Sequence, residues 1–225
     1  MKALLIPIKD PLRAKTRLAR LLSPDERRRL AWVMFEDVSR AAQASLKPDS
    51  VVMVTSFEPA IQYARRHGWD VLVEESQSSE SASIDWASRT LQERGFDTVM
   101  RLPADLPLVQ AEDIDALLSI ELRAPAAVLV PSRENTGTNA IIRTPPNVFP
   151  SRFGPNSLAL HREEAKRASV EFIVVNNSRI ALDIDEPADL ELFVEVGRGT
   201  ETFNLLAEMR IVERLKNQLN DESIS

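Results

Sequence analysis

Residues 181–190 read ALDIDEPADL, and Asp183 and Asp185 stand two apart there, behind a short apolar run. On an extended strand, side chains at that spacing leave the same face. Two bare carboxylates so close repel each other, and one of them has its pKa raised. A divalent cation removes that penalty. Mg2+ suits such a pair, because it takes one or two carboxylates, keeps several waters and completes its shell with substrate phosphate oxygens. A further carboxylate is available at Asp105, set between two prolines in PADLPLV. The ion is expected to rest on Asp105 together with Asp185 or Asp183. The plainer alternatives are that Asp105 caps the turn that follows it and that DIDEP is a strand end running into a helix N-cap.

Three other stretches carry matching chemistry. Lys9, Arg13, Lys15 and Arg17 crowd KDPLRAKTRLA, where they could neutralise a triphosphate. FGPNSLALH puts Ser157 and the amides of 154–157 at the start of a helix, a natural anion site, and Gly154 allows the backbone to approach a ligand closely. RENTGTNAI sets a glycine between two threonines. Each alone has an ordinary reading, as a solvated loop, a turn or a helix start. At one sheet edge together they suggest Mg2+-dependent attack of a phosphate on a nucleoside triphosphate. Neither a GxxxxGK[ST] phosphate loop nor a GxGxxG fingerprint is present. His67 and His161 are the only histidines, which argues against a histidine metal site. His161 lies one turn beyond Ser157 and could touch the site, although a surface position on its helix is the one expected.

The elements that must position these residues alternate. Strands are expected at 3–8, 50–56, 70–75, 126–132, 139–145 and 171–177, with 98–105 a strand running into a loop. Helices are expected at 23–45, 58–68, 82–95, 111–122, 157–169 and 188–198, with one more helical pattern in 200–225. The first has Ser23 as N-cap and Pro24 at its first position, with acidic residues in the first turn. This rhythm argues for βαβ units and a mainly parallel mixed sheet covered by helices on both faces, a single-domain three-layer α/β/α fold. Ligands of such sheets bind beyond the carboxyl ends of the strands. The expected division is a catalytic domain over 1–199 and a helical extension with a fraying tail over 200–225, able to cover its own sheet or a neighbouring subunit in a homodimer.

Composition narrows the classes. A chain of 225 residues can bury roughly 70–75% of its unfolded surface as one domain. With no cysteine there is no disulfide, thiolate nucleophile or cysteine-bound zinc. A net charge of −6 argues against nucleic acid as the main partner. Pro7 and Lys9 interrupt the first apolar run, so it reads as a strand and not a signal peptide. No run approaches the roughly 20 apolar residues of a membrane span. A soluble cytoplasmic protein is expected.

The ordered set IPIK, AKTRLA, LSPDERRRLAWVMFEDV, PADLPLV, TGTNAI, FGPNSLALH and LDIDEPADL, from about residue 3 to 193, resembles the CofC/FbiD family. These are guanylyltransferases acting on 2-phospho-L-lactate, phosphoenolpyruvate or 3-phospho-D-glycerate in coenzyme F-420 biosynthesis, and their wider relatives share a glycosyltransferase-A-like nucleotidyltransferase fold. The resemblance implies that GTP lies over loop 9–17 and meets Pro7, Lys9, Lys15, Arg17, Ser83 and Pro103. It implies catalytic roles for Lys15, Asp105 and Asp185, and Mg2+ on Asp105, Asp183 and Asp185. Thr138, Asn139, Gly154 and Ser157 would hold the phospho-acid, whose phosphate oxygen attacks the α-phosphorus of GTP and expels pyrophosphate. The product would pass to a separate transferase. No general base is needed, since a phosphate is already ionised and the protein has only to align it and disperse charge. One stretch departs from the family: SESASIDWA (79–87) stands where many members carry Gly-Leu-Asn, so Ser81, Ser83 and Asp85 come near the base and ribose, and Asp85 is expected to disfavour a nearby phosphate unless metal or a ribose hydroxyl meets it. Competing readings are a related nucleotidyltransferase making a cytidylyl sugar or a molybdopterin dinucleotide, and a non-catalytic nucleotide-binding regulator.

Overall fold

The apolar runs ALLIP, VVMV and AAVLV are continuous because both of their faces are covered, as in sheets with helices on either side. The computed structural model of the chain describes residues 1–11, 14–74 and 79–222. Arg13 and the end of the strand expected at 70–75 lie outside these residues. The strands are β1 (Lys2–Pro7), β2 (Ser50–Thr55), β3 (Asp70–Val73), β4 (Thr98–Arg101), β5 (Ala126–Pro131), β6 (Thr138–Thr144) and β7 (Glu171–Val174). They form one sheet in the order β3-β2-β1-β4-β6-β5-β7. Only β6 is antiparallel to its neighbours β4 and β5. The carboxyl ends of the other six strands and the amino end of β6 therefore share one edge.

The helices are α1 (Pro24–Ala44), α2 (Glu58–Arg66), α3 (Glu80–Glu93), α4 (Ala111–Leu118), α5 (Ser157–Arg167), α6 (Ser178–Ala181), α7 (Pro187–Val196), α8 (Glu201–Glu208) and α9 (Ile211–Glu222). Alternation along β1 assigns the layers. Leu4 and Ile6 pack with Phe35 and Val38 of α1 and Ile114 of α4. Ala3 and Leu5 pack on the opposite face with Ile84, Ala87 and Leu91 of α3. Helix α1 begins with a full capping box: Ser23 Oγ accepts from the Glu26 N–H, and Glu26 accepts from the Ser23 N–H at 2.8 Å.

The sequence differs from the structure at two places that matter for the site. The run before Asp183 is not a strand. Asn177 accepts from the N–H groups of Arg179 and Ile180 and turns the chain into the short helix α6. The chain then runs extended from Leu182, unpaired in the sheet. The two-residue period survives, with Leu182 and Ile184 buried against Leu18, Leu30 and Phe193 while Asp183 and Asp185 stay partly exposed. The tail carries two helices where one pattern was expected, parted at Arg210 by a left-handed φ of 52°. Leu205, Leu206, Met209, Ile211 and Leu215 complete the core that holds Leu182 and Ile184. Asp37 of α1 fixes α8 by accepting from the Thr202 N–H at 2.9 Å and its hydroxyl at 2.7 Å.

Candidate functional site

Three chain segments meet at the shared sheet edge. Asp105 follows β4, Asp183 and Asp185 follow α6, and Lys15 opens the 3-10 turn Thr16–Leu18 after β1. One oxygen from each carboxylate lies within 4.8 Å of the others. The Lys15 Nζ donates to Asp105 and to Asp185, at 2.7 Å each. Lys15 holds a left-handed backbone at φ 53°, ψ 41°, a conformation uncommon for a residue with a Cβ and one often found where strain serves a site.

The electrostatics follow from this crowding. Burial alone would lower the proton affinity of Lys15, but the charges of Asp105 and Asp185 outweigh it and hold the ammonium firmly protonated. Asp105 also resists burial, and the charge and hydrogen bond of Lys15, with help from Arg101, keep it below the usual carboxylate range. Asp183 goes the other way, pushed up to about 6 by burial and then by the charge of Asp105, against the bond it accepts from Asn139 at 3.0 Å. One ammonium among three carboxylates leaves the cluster short of positive charge. An all-oxygen donor set of this kind suits a hard divalent cation.

Two adjoining cavities flank the cluster. The first, about 350 Å3, is lined by Pro7, Lys9, Lys15 and Pro103 together with Trp32, Phe35 and Phe57. The second, about 540 Å3, has Thr138, Asn139, Gly154 and Ser157 in its wall together with Asp183. Glu80, Arg101, Pro103, Asp105 and Asp185 belong to both. The acidic cluster thus stands at the seam.

The second cavity is shaped by its backbone. Gly154 has φ +120°, a conformation that L side chains rarely adopt. A Cβ on Gly137 would come within 2.9 Å of Ser132 Oγ, which already accepts from the Gly137 N–H. Ser157 is the first residue of α5 and nearly buried, behind the left-handed Asn156.

Several expected contacts fall elsewhere. Arg17 lines the second cavity and not the first, and pairs with Glu186 at 2.7 Å. Ser83 lines neither, being buried with its hydroxyl donating to the Ser79 carbonyl at 3.0 Å. The Asn139 amide is spent on the Ile180 and Ala181 carbonyls and on Asp183, so it braces a carboxylate and does not reach freely into the cavity. Asp85, expected near the nucleotide, lines neither cavity. Its carboxylate accepts from Arg143 at 3.1 Å and from the Ser151 N–H at 3.0 Å, which ties α3 to the loop beside Gly154. Ser81 does the same by accepting from the Phe153 N–H at 2.9 Å. The aromatic wall of the first cavity, with Glu80 and Arg101, escaped the sequence reading, because Trp32 and Phe35 look like core positions of an amphipathic helix and Arg101 ends an apolar strand.

His161 is fully buried, contrary to the outer position expected. It shares the inner face of α5 with Ser157 and Ala165, four residues to either side. The Arg152 N–H donates to its Nε2 at 2.9 Å, so the ring proton is on Nδ1 and faces Thr138 Oγ1 at 3.1 Å. Burial, and then the charges of Arg143 and Arg101, push its pKa down to about 3 from 6.5. The unfolded chain binds a proton that the fold refuses, so this contribution to stability is present above pH 6.5 and is lost as pH falls toward 3. Urea unfolding is expected to show the wild type losing about 1–2 kcal/mol more than His161→Gln between about pH 6.5 and pH 5, from a limiting slope of about 1.4 kcal/mol per pH unit. Equal losses would remove His161 as the titrating group.

Known proteins resemble this chain over most of its length. The model of the family described as "Guanylyl transferase CofC like" matches residues 1–222. A phosphoenolpyruvate guanylyltransferase of Rubrobacter xylanophilus is 36% identical over 187 residues, covering 82% of this chain and 89% of the relative. A 3-phospho-D-glycerate guanylyltransferase of Colwellia psychrerythraea is 32% identical over 189 residues, with 84% and 89% covered. Among solved structures, a Desulfovibrio desulfuricans G20 protein described as a nucleotide-diphospho-sugar transferase superposes with a TM-score of 0.77 at 17% identity, over 96% of this chain and 97% of that one. That likeness establishes the nucleotidyltransferase fold.

Proposed function

The chain belongs to the CofC-like guanylyl transferase family, and from that premise we propose that it joins GTP to a small phosphorylated carboxylic acid and releases pyrophosphate, in coenzyme F-420 biosynthesis. The candidate acids are phosphoenolpyruvate, 3-phospho-D-glycerate and 2-phospho-L-lactate, named in its relatives. The observation that carries this reading is the set of Asp105, Asp183, Asp185 and Lys15 at the seam of two cavities.

The first cavity takes the nucleotide, its triphosphate toward Lys9 and Lys15. The second takes the acid, with Thr138, Gly154 and Ser157 along one wall. Mg2+ is the ion that fits Asp105, Asp183 and Asp185, and when bound it supplies charge stabilisation for the oxygens around the reacting phosphorus. The protein's own residues do the rest. Lys15 holds a fixed positive charge where oxyanion charge develops. Gly137 and Gly154 let backbone approach the acid. Asn139 holds Asp183, and the neutral His161 holds Thr138. The in-line approach is a matter of placement, because the incoming phosphate needs no deprotonation.

Incubation with GTP, Mg2+ and each acid in turn tests the proposal, with pyrophosphate release in at least one case as the expected result. Release with CTP and a sugar phosphate alone would replace the reading with a cytidylyltransferase. Removing Mg2+ with a chelator should abolish turnover and re-adding it should restore it. Ser157→Ala is expected to raise the KM for the acid about tenfold or more, as the loss of a hydrogen bond to a charged group, with kcat little changed. An unaltered KM counts against a role for that hydroxyl. The product, the acid joined to guanosine through a diphosphate made of its own phosphate and the α-phosphate of GTP, is passed to a separate transferase in the cytoplasm. Among the described residues no helix is long and apolar enough to cross a membrane.

A further inference from the structure

We propose that Arg101 is the receptor for the carboxylate of the phospho-acid and that Glu80 occupies this receptor in the free protein, leaving it when the acid binds. The inference rests on the guanylyltransferase reading and adds to it the feature that selects an acid over other phosphate esters.

The geometry of Arg101 is unusual for an ion pair of structural purpose. Its residue ends β4 and borders both cavities, yet its side chain is only 7% exposed. One end of the guanidinium is committed to the fold: Nη1 donates to the Thr138 and Asn139 carbonyls at 3.2 and 3.3 Å, at the start of the strand that walls the acid cavity. The planar face is committed too, with Cζ 4.4 Å from the centroid of Phe153, the neighbour of Gly154. The remaining edge carries Nη2 and Nε. Nη2 donates to a single oxygen of Glu80, and Nε is buried with no partner at all.

A buried donor left unsatisfied costs free energy, more when the group is charged. Nε and Nη2 point the same way and are spaced to take the two oxygens of one carboxylate. Glu80 reaches this edge from the first turn of α3 with one oxygen, which leaves the fork half used. Its own side chain is 32% exposed and lines both cavities, so it is a tethered carboxylate at the mouth of a fixed guanidinium. A free carboxylate arriving in the acid cavity can use both donors. All three candidate acids have that group close to the phosphate, on the neighbouring carbon in phosphoenolpyruvate and 2-phospho-L-lactate and one carbon further in 3-phospho-D-glycerate. With the carboxylate on Arg101, beside Thr138, the phosphate end is left for the seam at Asp105 and Asp185, where it must react.

The exchange predicts opposite effects for two substitutions. Binding is measured calorimetrically with Mg2+ present, using 3-phospho-D-glycerate and glycerol 3-phosphate, which differ by carboxylate against hydroxymethyl. Glu80→Gln removes the competing charge, so the acid should bind about fivefold tighter while glycerol 3-phosphate is unmoved. Arg101→Lys keeps the charge and loses the fork, so the preference for the acid over glycerol 3-phosphate should fall about tenfold. A purely structural ion pair gives neither pattern, since breaking it from either side would weaken both ligands alike. Weaker acid binding in Glu80→Gln, or an unchanged preference in a folded Arg101→Lys, overturns the inference. If Arg101→Lys does not fold, Glu80→Gln decides alone. These titrations do not depend on turnover: absence of pyrophosphate release from the wild type would strike the guanylyltransferase reading, whereas a flat response of both variants strikes only the exchange.

Discussion

Asp105→Asn is expected to lower turnover more than about a hundredfold, which corresponds to about 2.7 kcal/mol of lost transition-state stabilisation, while the protein melts close to the wild-type temperature. The substitution is nearly isosteric and keeps an acceptor oxygen for Lys15, and the side chain is 30% exposed, so the fold can absorb it. What it removes is charge. Asp105 is one of the three carboxylates whose oxygens converge within 4.8 Å, and it stands on the border of both cavities. A cation seated on two carboxylates in place of three is held less firmly and stabilises less charge. Asp185→Asn should behave alike, since Asp185 shares both the border position and the bond to Lys15. Steady-state pyrophosphate release with saturating GTP and acid checks both. Rates within threefold of wild type in both variants would sink the assignment of the site.

The shared side of Asp183 and Asp185 was readable because it depends on a local rule, whereas their meeting with Asp105 and Lys15 rests on the sheet topology, the two bonds of Lys15 spanning 90 and 170 residues. Asp183 and Asp185 keep a common side through the two-residue period of an extended chain, and this holds although the segment is no strand. The start of α1 was readable from Ser23, Pro24 and the acidic first turn for the same reason, since helix caps are contacts within four residues, and the structure adds Glu26 as the second half of a capping box. What could not be read depends on which side of an element the rest of the chain covers. His161 has the same helical neighbours whether it faces water or sheet, and only the packing of α5 over β5 and β6 turns it inward. Arg101 could be seen only as a charge at the end of an apolar run. Its partners are Glu80, 21 residues back, and the carbonyls at 138 and 139. The SESASID stretch is tied to the loop beside Gly154 and to β6 through Phe153, Ser151 and Arg143, none of them near it in sequence.

Lys15→Met should separate two roles of one side chain. In the free protein the ammonium bridges Asp105 and Asp185 at 2.7 Å each, so it stands where a cation is wanted and competes with one. Removing it leaves three carboxylates facing one another, relieved by the bond from Asn139 to Asp183 and by the charge of Arg101 near Asp105. Breaking an ion pair from one side costs about 3–5 kcal/mol when fully buried; here Asp185 is 45% exposed, and a smaller loss is expected. The variant should therefore melt several degrees lower without divalent cations, and Mg2+ should restore it, because a ligand that binds only the folded state stabilises it by mass action. The same variant should bind Mn2+ more tightly than wild type in equilibrium dialysis, since a positive charge has been taken from the ion's seat. Turnover should nonetheless fall more than about a hundredfold, for the lost charge also borders the first cavity, proposed above for the nucleotide, where removal of one preorganised donor costs about that factor. Tighter ion binding together with failed catalysis is the combination that distinguishes a residue serving the reacting phosphates from one that only balances the aspartates. A variant that binds the ion better and turns over normally would leave Lys15 as a counter-ion and nothing more.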